Sequence, residues 1–388
     1  MRDLTPAQED LQRRAYEAGL EFRPQVPEWD RKNKVPYKEV ARRLGELGFF
    51  GLCMPKEFGG QGGTALDYFT ANAAIFRGAQ FWAVGEPLFA TSGPGPSMIL
   101  LAESDAVRRK YLPDLVAGRV GCAIALTEPA HGSDLTHIET TAVLQGHEWV
   151  INGEKSYITG AVENELYAVF VRFDGIPGGR GVGAVVVERG APGFTMDAGP
   201  EFLGARGLPH GSLSFKNVRI PKENLIRGPG HFAQLMTAFN IERLHNAAFN
   251  LGMAEAAFDE TSAHVRKRQV FGRPVIEFQH TYHSLADIYV QIEALRALAT
   301  RAAATAIEGK FPQALDVSVA KIFGATALPQ ITLKAIELHG GLGVTMGSPI
   351  QRIHRDVITA IAAGGAPPVL RNTIASQIFP DLRFPQTR

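Results

Sequence analysis

The chain has 388 residues, with hydrophobic residues at 45%, charged residues at 20%, and 40 Lys+Arg against 39 Asp+Glu. This length exceeds an ordinary domain of roughly 100–150 residues and implies two or three, and the composition excludes wholesale disorder. A formal net charge of +1 excludes a basic phosphate-tracking surface, so no nucleic-acid partner is expected.

From Thr5 to about Gly118, apolar residues recur at three- and four-residue spacings, as in Val40, Leu44 and Leu47, with Gly/Pro-rich joints at 54–63 and 93–96. This predicts a helical domain over 1–120. Its first twenty residues carry Asp3, Glu9, Asp10 and Glu17 without an apolar core, which reads as an amphipathic helix and not a secretory leader. Short β-rich runs follow at 149–151, 166–171, 182–187 and 213–215, divided by Asn-Gly, Pro-Gly and Gly-Gly turn signals. They predict a compact antiparallel β domain, a barrel or sandwich, over 121–225. Helical periodicity returns in long segments at 232–270, 278–306 and 314–339, which predicts a C-terminal helical domain over 226–388. The fold class is α+β, a β module between two helical regions, with no Gly-x-Gly-x-x-Gly or Walker A fingerprint.

The least charged stretch, 357–370, contains Pro367 and Pro368 and falls short of the roughly 18 apolar residues a membrane span needs, so no span is expected. Two cysteines, Cys53 and Cys122, make a disulfide framework improbable and fit a reducing, cytoplasmic setting, each as a packed side chain. The histidine pairs His280/His283 and His131/His137 lack Cys or carboxylate companions at ligand spacing, so no metal is expected. No Gly-x-Ser-x-Gly elbow is present, which disfavours a serine hydrolase. Two segments stand out: Ala125-Leu-Thr-Glu-Pro-Ala-His-Gly-Ser-Asp134 and Asn152-Gly-Glu-Lys-Ser-Tyr-Ile-Thr159. Each sets hydroxyl or aromatic side chains beside turns, groups able to bond the rim of a planar heterocycle while Tyr157 covers a face; ordinary loop chemistry accounts for them equally well.

With Pro55-Lys-Glu-Phe-Gly-Gly60, Glu242-Arg243, Arg268-Gln-Val-Phe-Gly-Arg-Pro274, Gln279, Gly340-Gly-Leu-Gly343 and Arg355-Asp356, the chain resembles the acyl-CoA dehydrogenase family of flavoproteins over nearly its whole length. The resemblance implies an N-terminal helical domain, a middle β domain and a C-terminal four-helix bundle. It implies FAD extended between the middle and C-terminal domains, completed by a second subunit in a dimer or tetramer. Carried over by position, Leu126, Thr127 and Ser133 would contact the flavin region, and Tyr157 and Thr159 would sit beside the isoalloxazine, Tyr157 replacing the usual tryptophan. Arg268, Phe271 and Gln279 would reach the pyrophosphate and adenine end across a dimer interface, with Gly341 allowing close backbone approach. Ser133, Asn240 and Arg243 would contact acyl-CoA.

The family removes an α-proton from an acyl-CoA thioester with a carboxylate and passes the β-hydrogen to flavin as hydride. Many members carry that carboxylate in a Glu-Gly-Thr motif, but here the chain reads Ala363-Gly-Gly-Ala-Pro-Pro368, and Gly364 stands in the glutamate's place. The branch typified by isovaleryl-CoA and long-chain acyl-CoA dehydrogenases takes its base from another helix, at a position matching Glu242, whose alternative is a structural carboxylate beside a helix-surface arginine. With Glu242 as base, the Gly364 N–H would donate to the thioester oxygen, and its missing side chain would leave room for a branched or cyclic acyl group. Ala366 and Pro368 remove hydrogen-bonding side chains that family members use on FAD, and Glu337 stands where a glutamine often contacts it. The expected activity is α,β-dehydrogenation of acyl-CoA with electron-transfer flavoprotein as acceptor. The alternatives are a desulfinase-type flavoprotein without α-proton abstraction and a non-catalytic partner subunit.

Overall fold

The computed structural model describes residues 4–307 and 311–382; the outermost residues of the expected 1–120 and 226–388 segments lie outside them. Helices α1 (Pro6–Phe22), α2 (Val26–Lys32), α3 (Tyr37–Glu46), α4 (Ala65–Ala79), α5 (Trp82–Ser92), α6 (Pro94–Leu100) and α7 (Asp105–Val116) come first. Thr5 and Thr64 start α1 and α4 as reciprocal capping boxes, with Gln8 and Asp67 at the third helical position, satisfying N–H groups that a helix start leaves open.

The middle region is a sheet of β1 (Cys122–Ala125), β2 (Thr141–Gln145), β3 (Glu148–Thr159), β4 (Leu166–Phe173), β5 (Val182–Glu188), β6 (Phe194–Ala198), β7 (His210–Pro221) and β8 (Leu225–Arg227). Strand order is β6-β7-β3-β2-β4-β5-β8, with β1 also on β4. The sheet is not wholly antiparallel as the turn signals suggested: β4 pairs parallel with both β1 and β2. The reason is the long connection from Ala125 to Thr141, which lets β1 and β2 run in the same direction along different parts of β4, Leu166–Val169 and Arg172–Phe173. Strand β4 reads Leu-Tyr-Ala-Val-Phe-Val-Arg-Phe because both of its faces are buried. Leu166, Ala168 and Phe170 enter the core shared with α6, α7 and the start of the next helix, while Tyr167, Val169, Val171 and Phe173 fill the core within the sheet.

The last region holds α8 (Phe232–Lys267), a short hairpin of β9 (Gln269–Val270) and β10 (Arg273–Pro274), α9 (Gln279–Ala304), α10 (Ala314–His339), α11 (Pro349–Ala360) and α12 (Pro367–Ile378). Between Ala238 and Ala257, α8 is buried almost all round, as befits a helix enclosed by others. It presses on α4 closely enough that a Cβ at Gly252 would lie 2.3 Å from the Ala73 carbonyl oxygen. Among the described residues, no helix is long and apolar enough to cross a membrane.

Arg355 and Asp356 of α11 join the three regions. The Asp356 carboxylate, 1% exposed, accepts the backbone N–H of Trp82 at 3.0 Å and of Ala205 at 2.7 Å. Burial pushes its pKa up to about 6 against the pull of those amides. Arg355 bonds Asp30 at 2.6 Å and the Leu203 carbonyl at 3.1 Å, and Arg206 donates to the Asp30 carbonyl at 2.8 Å. Asp356→Ala would strand two buried backbone donors, each costing about 1–3 kcal/mol. The expected result is a urea-unfolding midpoint lowered by about that much stability.

Candidate active site

At the end of β1, Glu128 turns its carboxylate inward, accepting the N–H groups of Glu139 and Thr140 at 2.5 and 3.0 Å. Lys155 of β3 completes the set, with Nζ 2.8 Å from Glu128 and 3.2 Å from the Leu126 carbonyl; neither residue of this ion pair is more than 4% exposed. Burial lowers the Lys155 pKa to about 8. It also works against the Glu128 charge, but Lys155 and the amides prevail and hold that carboxyl below its ordinary value. The two stretches singled out in the sequence are thus one unit, tied again by Ser156 N–H to the Thr127 carbonyl at 2.9 Å.

That unit displays Tyr157. The β3–β7 register shifts between Lys155 and Ile158, and such a bulge re-aims a side chain. Tyr157 has φ +58° and is 59% exposed, its ring 6.3 Å from Phe202. Thr159 Oγ1 lies 3.0 Å from His210 Nε2. Leu126 is buried, Thr127 half-buried and Ser133 exposed on the loop. The Ser156 hydroxyl is buried without a partner among the described residues. The exposed aromatic ring, the half-open threonines and the unsatisfied hydroxyl form a rim fitted to a planar polar heterocycle.

Arg268, Phe271, Gln279 and Gly341 gather elsewhere, at one end of the helical bundle. There His264 stacks on His339 at 4.3 Å, and His280 Nε2 lies 3.3 Å from Glu337, bringing the β9–β10 hairpin, the start of α9 and the end of α10 together. Arg268 caps α8 and is exposed, as is Gln279, and nothing approaches the Cα of Gly341 on its side-chain side. Phe271 is 95% exposed and, like Tyr157, held at positive φ, +50°. Aromatic residues rarely adopt this backbone, which costs of order 1–3 kcal/mol and clusters at ligand sites. Glu337 is occupied by Lys334 as well as His280. No hydrogen bond, ion pair or ring contact among the described residues joins this end to the Tyr157 rim.

The third group surrounds Gly364. Its φ is +67°, and a Cβ there would lie 2.5 Å from Asn246 Nδ2 and 3.4 Å from Glu242 Cγ. A side chain at 364 is disfavoured by the backbone conformation and would require the Asn246 amide to move. The side-chain position at 364 lies against Asn246 and Glu242. Burial, then the nearby Glu86, push the Glu242 pKa up to about 8, opposed by Arg243, Lys321 and the Gly364 amide. That amide faces the Glu242 carboxyl here, a neighbour other than the thioester oxygen expected from sequence.

Arg243 is no surface arginine: it is 6% exposed, donates to Asn240 Oδ1 at 2.7 Å and covers the Phe239 ring, while Asn240 donates to the Pro312 carbonyl at 2.8 Å. Lys321, 1% exposed, holds the carbonyls of Ile361 and Gly365 at 2.7 and 2.9 Å, fixing the glycine turn against α10. Sequence reading missed Glu86, His245, Tyr68 and Lys321. The available signal was a lone carboxylate in the otherwise uncharged run Trp82–Ser92 and a histidine one helical turn beyond Glu242.

Comparison with known proteins agrees along the whole chain. Family models described as the acyl-CoA dehydrogenase N-terminal, middle and C-terminal domains match residues 5–119, 123–218 and 232–379. The chain is 33% identical to a glutaryl-CoA dehydrogenase of Desulfococcus multivorans over 91% of each sequence. It is 34% identical to a 3-sulfinopropanoyl-CoA desulfinase of Variovorax paradoxus over 100% of this chain and 98% of that one. A solved glutaryl-coenzyme A dehydrogenase in complex with glutaryl-CoA superposes with a TM-score of 0.92 at 32% identity, covering 97% of this chain and 96% of the other.

Replacing Lys155 with Met would leave Glu128 buried without its cation, a change that typically costs about 3–5 kcal/mol. Urea unfolding is expected to show a loss of that size.

Proposed function

The chain belongs to the acyl-CoA dehydrogenase family, and on that premise we propose that it is an FAD-dependent oxidoreductase that dehydrogenates an acyl-CoA thioester across its Cα–Cβ bond. The carrying observation is Glu242, a carboxyl group with its pKa raised to about 8, set against the glycine where many relatives keep their base. Removing an α-proton calls for a carboxylate with high proton affinity, and the raised pKa of the half-buried Glu242 supports that role. Asn246 donates to the Glu242 backbone carbonyl at 2.9 Å and, with the Gly364 turn, limits where the side chain can go. Asn240 and Arg243 form the adjoining polar wall, and Ser133 offers a hydroxyl on the loop side; these are the proposed acyl-CoA contacts.

FAD, when bound, accepts the β-hydrogen as hydride. Leu126, Thr127, Ser133, Tyr157 and Thr159 would hold its ring system, and Arg268, Phe271, Gln279 and Gly341 of a second copy its adenine end. The exposed Phe271, Leu342, Val344 and Met346 around that end support a homo-oligomer, a dimer or tetramer. Electron-transfer flavoprotein is the proposed acceptor, and Cys53 and Cys122, both free thiols, suit a reducing cytoplasm.

A second reading follows from the desulfinase relative: a thioester reaction without α-proton abstraction, with sulfite release from a sulfinate thioester and no net flavin reduction. Glu242 separates the two. Glu242→Gln is expected to slow anaerobic flavin bleaching by substrate about 10²–10⁴-fold with FAD still bound; undiminished bleaching removes Glu242 as base.

The pH dependence has a definite sign. A carboxyl with a pKa near 8 holds its proton at neutral pH, so the competent form increases as pH rises. Bleaching at limiting substrate should climb about tenfold per pH unit below about pH 7 and level off above about 8. A flat profile across that range contradicts the assignment.

A further inference from the structure

Lys321 is a buried ammonium whose bonds serve one short stretch of chain. It lies on α10, is 1% exposed, and donates to the carbonyls of Ile361 and Gly365 at 2.7 and 2.9 Å. Ile361 is the C-cap of α11, so its carbonyl is among those a helix end leaves open, and a cation there meets the negative end of the helix dipole. Gly365 is followed by Ala366, Pro367 and Pro368, and neither proline has an N–H to offer a nearby carbonyl. The two bonded carbonyls bracket Gly364 in sequence, and Gly364 and Gly365 take φ of +67° and +104°. Successive glycines are readily rearranged backbone, so the fixed points at 361 and 365 decide where the turn lies. The turn in its place lies against the proposed base: the Cβ position of Gly364 is 3.4 Å from Glu242 Cγ.

We infer that Lys321 is a positioning residue for the proposed dehydrogenation: by holding the Ile361 and Gly365 carbonyls it sets the Gly364 turn against Glu242 and limits where the Glu242 carboxyl can point. This rests on the reading of Glu242 as base. Burying an ammonium costs free energy, and a neutral donor would meet the same carbonyls at less cost. The charge gains a use when Glu242 gives up its proton, because an ammonium bonded to the neighbouring turn then opposes the new negative charge. In agreement, Lys321 and Glu242 each pull the other toward its charged form. Arg243, beside Glu242 on α8, and Glu86 of α5 also bear on the Glu242 charge. Glu86 Oε1 accepts the Trp82 indole N–H and lies 3.3 Å from His245 Nε2, and His245 Nδ1 lies 3.0 Å from the Tyr68 hydroxyl. Lys321 differs from these in being bonded to the turn as well.

The test follows anaerobic flavin bleaching of the FAD-loaded protein by hexanoyl-CoA and isovaleryl-CoA across pH. Beside it, the titration of Glu242 is read without substrate, from the carboxyl infrared band that Glu242→Gln removes. Lys321→Met removes the donors and the charge at similar volume. Its bleaching rate on the high-pH plateau is expected to fall about 10- to 100-fold, with the Glu242 midpoint moved up by about one pH unit. Gly365→Ala strains the same turn and keeps the ammonium, so its plateau should fall about tenfold with a smaller change of midpoint; it carries the test should Lys321→Met fail to assemble. A merely structural role would lower the urea midpoint of both variants and leave plateau and titration unchanged, which overturns the inference. So does a full plateau in either variant, including a Lys321→Met whose midpoint moves without loss of rate. Slowed bleaching by Glu242→Gln with full plateaus in the other two overturns this inference and leaves Glu242 as base. Undiminished bleaching by Glu242→Gln, or none by either thioester in the unaltered protein, overturns both.

Discussion

The buried carboxylate of Asp356 is the constraint on which the arrangement of the molecule turns. Its two oxygens take backbone N–H groups from the start of α5 and from the loop at Ala205, segments of different regions far apart in sequence. A backbone donor buried between regions must find an acceptor, and a carboxylate serves two at once. Because α5 carries Glu86, the loop leads to His210, and α11 leads to Gly364, the three surfaces that frame the site are referenced to one side chain. Arg355, next in the chain, extends the junction to Asp30. Burying these charges costs free energy, and the hydrogen bonds repay it only while all three regions are in place.

Within that frame, the turn at Gly364 packs against Asn246 and Glu242 of α8. The turn needs a positive φ, and the Cβ position is taken by Asn246 and Glu242. Glycine suits that turn, and it lies directly against α8, the helix that carries the proposed base Glu242. Lys321 does not form an ion pair with it; its ammonium is spent on the Ile361 and Gly365 carbonyls. This keeps a positive charge close enough to oppose the rise in the Glu242 pKa without cancelling it.

The β domain solves a similar problem with a closed pair. Glu128 and Lys155 satisfy each other and the surrounding backbone, and this link anchors β3 at the start of its own bulge, which presents Tyr157. Local strain at Tyr157 and Phe271 persists because the structure around each position fixes it.

The helix–sheet–helix order was legible in the sequence because periodicity and turn residues are local properties. So were the segments around Thr127 and Tyr157 and the loss of a carboxylate at 364. The parallel pairing of β4 was not, since strand direction depends on how a long connection is routed. Sequence left Arg243 open as a surface residue, and only packing placed it inside, between Asn240 and Phe239. Glu86 and His245 carry no motif; 159 positions separate them, and their relation to Glu242 exists only once α5 and α8 are packed. The residue types able to do this chemistry were thus determined by the sequence itself. Their proton affinities and the charge of the space between them were decided by tertiary structure, because desolvation and Coulomb energy depend on distance and burial, which no local pattern encodes.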